Sequence, residues 1–251
     1  RAGGGGGGRG GGGGAGGGWG VAAAGTGRGA RVPQSLGAGC GHGIVLKGRF
    51  RAVKTLDLDW DRLAFVAGIG CSSRLVGYID ACTLHTTHGR ALTFATGLKL
   101  ARPDLTVVVI TGDGDGLAIG GNHLIHAARR DVDLTCLLLN NETYGMTGGQ
   151  VAPTTFPGRV STTTPRGSPE PSFDACRLVI AARAPFVARG ATSLPLDLRQ
   201  LIARAIGPPG SPTLRPPPHC PQSLGPPPPP RRCPWTPPPP GPPRPDRATP
   251  P

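Results

Sequence analysis

The stretch TVVVITGDGDG, residues 106–116, decides the fold. Its first six residues, Thr106 to Thr111, form a β-branched apolar run of the kind buried on both faces of a parallel sheet. Leu117 to Arg130 then reads as a helix, and Leu134 to Leu139 (LTCLLL) as a second buried strand. Strand, Gly/Asp loop, helix and strand make one βαβ unit with a right-handed crossover. A gap of 25 residues separates Gly112-Asp113-Gly114 from Asn140-Asn141. The unit therefore sets Asp113 and Asn141 at the carboxyl ends of two parallel strands, where open α/β sheets bind ligands.

The chemistry of that pair is specific. A hard cation such as Mg²⁺ takes oxygen ligands in an octahedron, and a carboxylate, an Asn carbonyl, a backbone carbonyl and phosphate oxygens supply them. Gly112 and Gly114 allow close approach of a diphosphate, and the amides opening the next helix add favourable partial charge. Taken alone, GDGDG is equally an ordinary tight turn and Asn140-Asn141 a strand-end turn. The joint spacing and the flanking strands favour a magnesium-bound diphosphate.

Outward from this unit the pattern repeats. Leu63 to Ala67 (LAFVA) predicts a short strand delivering the loop Gly68 to Ser73, and Ala91 to Ala101 a small-residue helix ended by Arg102-Pro103. Phe186 to Ala188 predicts a late strand. In the last helix Leu194, Leu198, Leu201, Ile202 and Ala205 share one face, and Pro208 prevents the helix from continuing. Thr147 to Ser172 is rich in Gly, Pro and Thr without a period, so it reads as a long loop over the site.

GIGCSS (68–73), HTTHGRALTFATGLKLARPDL (85–105), GDGDGLAIGGNHLIHAARR (112–130) and NNETYGMTGGQVAPTT (140–155) together resemble the β subunit of 2-oxoacid:ferredoxin oxidoreductases, most closely the 2-oxoglutarate type. The resemblance runs from about Gly39 to Ile206. It implies the thiamine diphosphate-binding fold, a doubly wound α/β architecture with a mainly parallel sheet. It further implies thiamine diphosphate, Mg²⁺ and a 4Fe-4S cluster as cofactors. The activity implied is CoA-dependent oxidative decarboxylation of a 2-oxoacid, with electrons passing to ferredoxin. On these motifs Asp113, Asn141 and the carbonyl of Thr143 would hold Mg²⁺. Ile69, Gly70, Cys71, Ser72, His88, Gly112, Gly114, Asp115, Gly145 and Met146 would line the cofactor. The glutamate that activates the aminopyrimidine would come from a partner α subunit, so no catalytic residue is assigned within this chain.

Cysteines mark a departure from the family. Gly39-Cys40-Gly41-His42-Gly43 matches the end of its Cys-Pro-Gly-Cys-Gly motif and Cys71 its third ligand, but Gly37 stands where the first cysteine belongs. Cys220 lies near the place of the fourth, which leaves Cys40, Cys71 and Cys220 against the four thiolates of a cubane cluster. Cys136 reads as a core residue, Cys82 and Cys176 as packing on helices or their ends. His42 is placed to hydrogen-bond near the cluster site. His85 and His88 precede a helix with no carboxylate nearby in sequence. His123 and His126 share a helix face and read as structural or interface residues.

Composition divides the chain into a Gly-rich head (1–36), a globular middle (37–206) and a Pro/Arg-rich tail (207–251). Neither end has the apolar content to offset chain entropy, so both are expected to be disordered. The net charge of +13 lies mostly in these ends, with four arginines in the head and five arginines against one aspartate in the tail. Aromatic residues interleaved with that charge are limited to Trp19 and Trp235, so nucleic-acid binding is not expected. No apolar stretch approaches ~20 residues, which excludes a membrane span, and seven scattered cysteines fit a reducing cytoplasm. Both ends resemble GC-rich DNA translated in a wrong frame, so an inactive product of a damaged reading frame is one alternative. A non-redox thiamine diphosphate enzyme, decarboxylase or carboligase, is the other.

Overall fold

The computed structural model describes residues 41–207 in full and residues 212–215 as backbone. Its elements are α1 (His42–Thr55), β1 (Leu63–Ala67), β2 (Cys82–His85), α2 (Ala91–Ala101), β3 (Thr106–Gly112), α3 (Gly121–Arg129), β4 (Thr135–Leu139), β5 (Thr143–Tyr144), β6 (Gln150–Val151), α4 (Ala175–Ala181), β7 (Phe186–Arg189), α5 (Pro195–Ile206) and β8 (Pro212–Arg215). Six strands form one sheet in the order β2-β1-β3-β4-β8-β7, with every neighbouring pair parallel. β5 and β6 form a small antiparallel hairpin beside it.

Period-two alternation along the buried strands builds a core on each face. Leu63, Phe65 and Ala67 of β1 pack with Val108, Ile110, Leu137 and Leu139 against Val45 and Leu46 of α1 and Leu198 and Ile202 of α5. Ala64 and Val66 point the other way, joining Val107, Val109, Cys136 and Leu138 against Leu92 of α2, Leu124 of α3 and Val179 of α4. This is the doubly wound α/β architecture expected from the sequence.

Three local expectations change. The predicted helix from Leu117 to Arg130 begins earlier and is divided: Gly114–Ile119 is a π-helical turn, and α3 comes after it. The Gly120 amide reaches back five residues to the Asp115 carbonyl at 3.0 Å, a wide turn that the glycines at 114, 116 and 120 leave room for. Leu194 is not on the buried face of α5 but caps its start at 55% exposure, whereas Leu198, Ile202 and Ala205 are buried. Disorder is expected from composition throughout 207–251, yet Pro212–Arg215 forms β8 between β4 and β7. Its proline opens the strand, the position within a sheet that tolerates a missing amide hydrogen. Residues 1–40, 208–211 and 216–251, including Gly37, Cys40, Pro208 and Cys220, lie outside the described residues.

Candidate functional site

Chain order reverses between β1 and β3. After β1 the chain crosses to edge strand β2, then returns to place β3 on the other side of β1. The crevice at the carboxyl ends of such strands is the ligand position in open α/β sheets. Here it receives the loop after β1, the Gly112–Asp115 turn after β3 and the segment after β4.

Asp113 stands at the centre of it, 1% exposed. The Thr154 hydroxyl donates to its Oδ2 at 2.5 Å and also contacts the Asn140 side chain. One hydroxyl proton serves one acceptor, so the network is complete when Asn140 turns its NH₂ toward Thr154. Burial raises the Asp113 pKa above the usual carboxylate range, opposed by the Thr154 hydroxyl and by the amides of Gly114 and Asn141. Thr154, which the sequence motifs do not single out, comes from the long loop over the site. Tyr144 is a second such residue; its hydroxyl donates to the Gly114 carbonyl at 3.2 Å, and its ring lies where a Gly114 Cβ would project.

The Asp115 carboxylate is a hub of hydrogen bonds. Its side chain accepts from the Gly89 amide (2.6 Å), the Ile69 amide (3.2 Å) and the Thr111 hydroxyl (2.6 Å), and His88 Nδ1 lies 2.8 Å away. One carboxylate thus ties together the ends of β1, β2 and β3. A Cβ at Gly68 would overlap this anchored carboxylate, whereas one at Gly97 on α2 meets open space. Gly68→Ala is expected to cost about 2–3 kcal/mol, a fall of roughly 5–10 °C in the thermal midpoint, with Gly97→Ala neutral or slightly stabilising. Circular-dichroism melts of the two variants check this.

These groups surround a cavity of about 320 Å³. Asp113, Asn141 and Thr143 line it, as do Ile69, Gly70, Cys71, Ser72, His88, Gly112, Gly114, Asp115, Gly145 and Met146. The structure therefore brings together every candidate site residue that lies within its described part. His42, Leu139, Tyr144 and Thr147 complete the wall. The His42 imidazole is buried, and burial pushes its pKa down to about 4. The cavity is at the small end for a cofactor site, and Ile69 and Met146 leave it open on one side.

The remaining cysteines and histidines stand elsewhere. Cys136 is a core residue in β4, its thiol pushed up to about 12 by burial. Cys176 lies in the first turn of α4. Cys82 does not pack on a helix; it opens β2, whose four residues are all exposed. His85 ends that strand, and His123 on α3 contacts the Arg90 guanidinium. Among the described residues, no cluster of three or more His, Cys, Asp or Glu side chains is arranged to hold a metal. A cation here would depend on one carboxylate assisted by neutral oxygens, a donor set that fits Mg²⁺ bound with a phosphate.

Sequence comparison gives the chain a family. The family described as thiamine pyrophosphate enzyme, C-terminal TPP binding domain, matches residues 68–214, and the chain belongs to it. Within this class its relatives are β subunits of 2-oxoacid oxidoreductases. It is 52% identical over 179 residues to 2-oxoglutarate synthase subunit KorB of Methanothermobacter thermautotrophicus, covering 71% of this chain and 63% of the relative. KorB of Archaeoglobus fulgidus is 54% identical over 169 residues, covering 67% and 63%. The solved structure of 2-oxoglutarate:ferredoxin oxidoreductase from Magnetococcus marinus, with 2-oxoglutarate, coenzyme A and succinyl-CoA bound, is similar at a TM-score of 0.76 and 40% identity, over 78% of this chain and 67% of that chain. The chain spans a little under two thirds of the length of these two curated relatives. The family match continues past Ile206, the end of the motif resemblance, and takes in part of β8. No described helix is long and apolar enough to cross a membrane.

Proposed function

We propose that the chain is the β subunit of a 2-oxoacid:ferredoxin oxidoreductase, 2-oxoglutarate being the favoured substrate. Together with an α subunit it would carry out CoA-dependent oxidative decarboxylation and pass electrons to ferredoxin. The observation that carries this reading is the buried Asp113 carboxylate beside Asn141 and Thr143 at the reversal point of a parallel sheet. Asp113, the Asn141 side chain and the Thr143 carbonyl would hold Mg²⁺ with the diphosphate. The Gly112–Gly114 backbone would allow the phosphates close approach, and Ile69 to Ser72 with Gly145 and Met146 would border the rest of the cofactor. When bound, thiamine diphosphate supplies the carbon nucleophile and the electron sink for loss of CO₂. Cys40, Cys71 and Cys220 would contribute to an iron-sulfur centre that lacks a fourth ligand at Gly37.

This chain has glutamates only at Glu142 and Glu170. Glu142 adjoins the metal ligands Asn141 and Thr143, too close to them to reach the aminopyrimidine. The α subunit supplies that glutamate and closes the open side of the cavity. The test is titration of the full chain with thiamine diphosphate, with and without Mg²⁺, and then viologen reduction on mixing with a family α subunit, 2-oxoglutarate and CoA. Binding should require the metal, and dye reduction the α subunit. Metal-independent binding, or dye reduction without a partner, would overturn the reading.

A further inference from the structure

Ala152-Pro153-Thr154-Thr155, in the long loop, is a turn closed and braced by hydrogen bonds. The Thr155 amide donates to the Ala152 carbonyl at 2.9 Å, and Pro153 holds the second position, which its fixed φ suits. From just past the end of the loop the Phe173 amide donates to the Pro153 carbonyl at 2.7 Å. Thr155 uses its hydroxyl twice, accepting from the Ala152 amide at 2.8 Å and donating to the Glu142 carbonyl at 2.7 Å. Ala152, Thr154 and Thr155 are all buried. From this fixed block the Thr154 hydroxyl donates to Asp113 Oδ2 at 2.5 Å, with the Asn140 side chain against it as well. Glu142, whose carbonyl Thr155 holds, has a φ of 57°, a left-handed conformation that residues other than glycine seldom take. It stands between Asn141 and Thr143, so its backbone sets how those two are turned relative to each other.

We propose that Thr154 and Thr155 are positioning residues for the metal, which set the geometry of its ligands without touching it; this rests on the Mg²⁺ and diphosphate reading above. Thr154 acts on the carboxylate. A hydroxyl carried on a braced turn and bonded to one oxygen of Asp113 fixes the rotation of the group, and with it the direction in which both oxygens point. Thr155 acts on the other half of the site, where its bond to Glu142 holds the strained turn between Asn141 and Thr143. Groups one step removed from a metal orient its ligands, and losing one typically costs about 10–100-fold in metal affinity. The choice of ion separates this role from general loss of the fold. Mg²⁺ demands a near-ideal octahedron at about 2.0–2.1 Å, whereas Ca²⁺ takes about six to eight oxygens at about 2.3–2.6 Å in a flexible shell. Ligands that are present but loosely held therefore cost Mg²⁺ more than Ca²⁺.

The full chain is titrated with Mg²⁺, and separately with Ca²⁺, at a fixed excess of thiamine diphosphate. Thr154→Val exchanges the hydroxyl for a methyl of similar size. It is expected to weaken Mg²⁺ binding about 10–100-fold and Ca²⁺ binding less than about threefold. Thr154→Ser returns the hydroxyl and should stay within about threefold of the unsubstituted chain for both ions. Thr155→Val, which releases the Glu142 carbonyl, should show the same selective loss, about tenfold for Mg²⁺. Equal losses for the two ions, no loss, or a failure of serine to restore binding would make the threonines packing residues and overturn the proposal. Melts without metal report whether each variant folds; if Thr154→Val does not, Thr154→Cys keeps the shape with a weak donor and should lose Mg²⁺ in the same selective way. Failure of the unsubstituted chain to bind the cofactor with either ion would remove the metal reading and this proposal with it. Equal Mg²⁺ affinity of that chain and Thr154→Val would sink the proposal alone.

Discussion

Asp113→Ala is expected to weaken Mg²⁺-dependent thiamine diphosphate binding by at least about a hundredfold, some 2.7 kcal/mol or more. On the proposed site the variant would remove the one charged oxygen from a ligand set otherwise made of an amide and a carbonyl, and Mg²⁺ gives up water only to strong oxygen donors. Calorimetry showing unchanged affinity would mean that the metal site lies elsewhere. Asp113→Asn separates binding from stability. Burial is the largest influence on the carboxyl and holds its folded pKa above the unfolded value. The stability that goes with protonation is therefore fully present below an unfolded pKa of about 3.9 and lost as pH rises through the folded value. Without metal, the Asn variant should melt higher than the unsubstituted chain at neutral pH. The difference should close as pH falls to about 4, and Mg²⁺ with cofactor should restore the aspartate chain alone. Melts at two pH values, with and without metal, check each step.

Arg49→Met is expected to stabilise the chain by about 1–4 kcal/mol, a rise of roughly 4–12 °C in the thermal midpoint. Arg49 sits in α1 at 1% exposure, and neither Nη1 nor Nη2 has a hydrogen-bond partner. Its guanidinium lies 4.2 Å from the Phe65 ring centroid and 5.0 Å from that of Phe50. Two aromatic faces return about 2 kcal/mol or somewhat more to a desolvated cation, less than the several kcal/mol that burying an ion costs. Burial accordingly pushes the guanidinium down to about 9. The folded value lies below the unfolded one, so the penalty is full below it and the gap between the two chains should narrow as pH rises past about 9. Methionine fills similar space without charge. A fall in the midpoint would show that the arginine meets an acceptor after all.

How far each element is legible in the sequence depends on how it is built. β1, β3 and β4 are legible because they are apolar runs buried on both faces, and α2 because its small and apolar residues end at Arg102-Pro103. α1 is not, since its first turn begins with Gly41, His42 and Gly43 and its buried face includes an arginine. β2 has no inward face at all, so no alternation marks it. β8 lies in a proline-rich run whose composition argues against a strand; its place depends on the opening left between β4 and β7, a property of topology and not of propensity. At the site, Asp113 and Asn141 are visible through spacing across one βαβ unit. Thr154 and Tyr144 are not, because hydrogen bonds to residues distant in the chain bring Thr154 in from the long loop and Tyr144 in from the two-residue strand β5. Asp115 stands in the GDGDG motif, but that its carboxylate also joins the ends of β1, β2 and β3 is visible only in the fold.

The position of β8 also bears on how the molecule is made. β4 and β7 both leave the ribosome before the strand that joins them, so during synthesis the sheet is first a larger part and a detached strand, each with a bare parallel edge. Non-local parallel pairing forms slowly, and unpaired edges in partly folded chains invite association with other chains. Closing that gap is expected to be the last and slowest step of assembly. Yield of the chain should consequently depend on chaperone supply and growth temperature, and chains cut short before residue 212 should accumulate as aggregates.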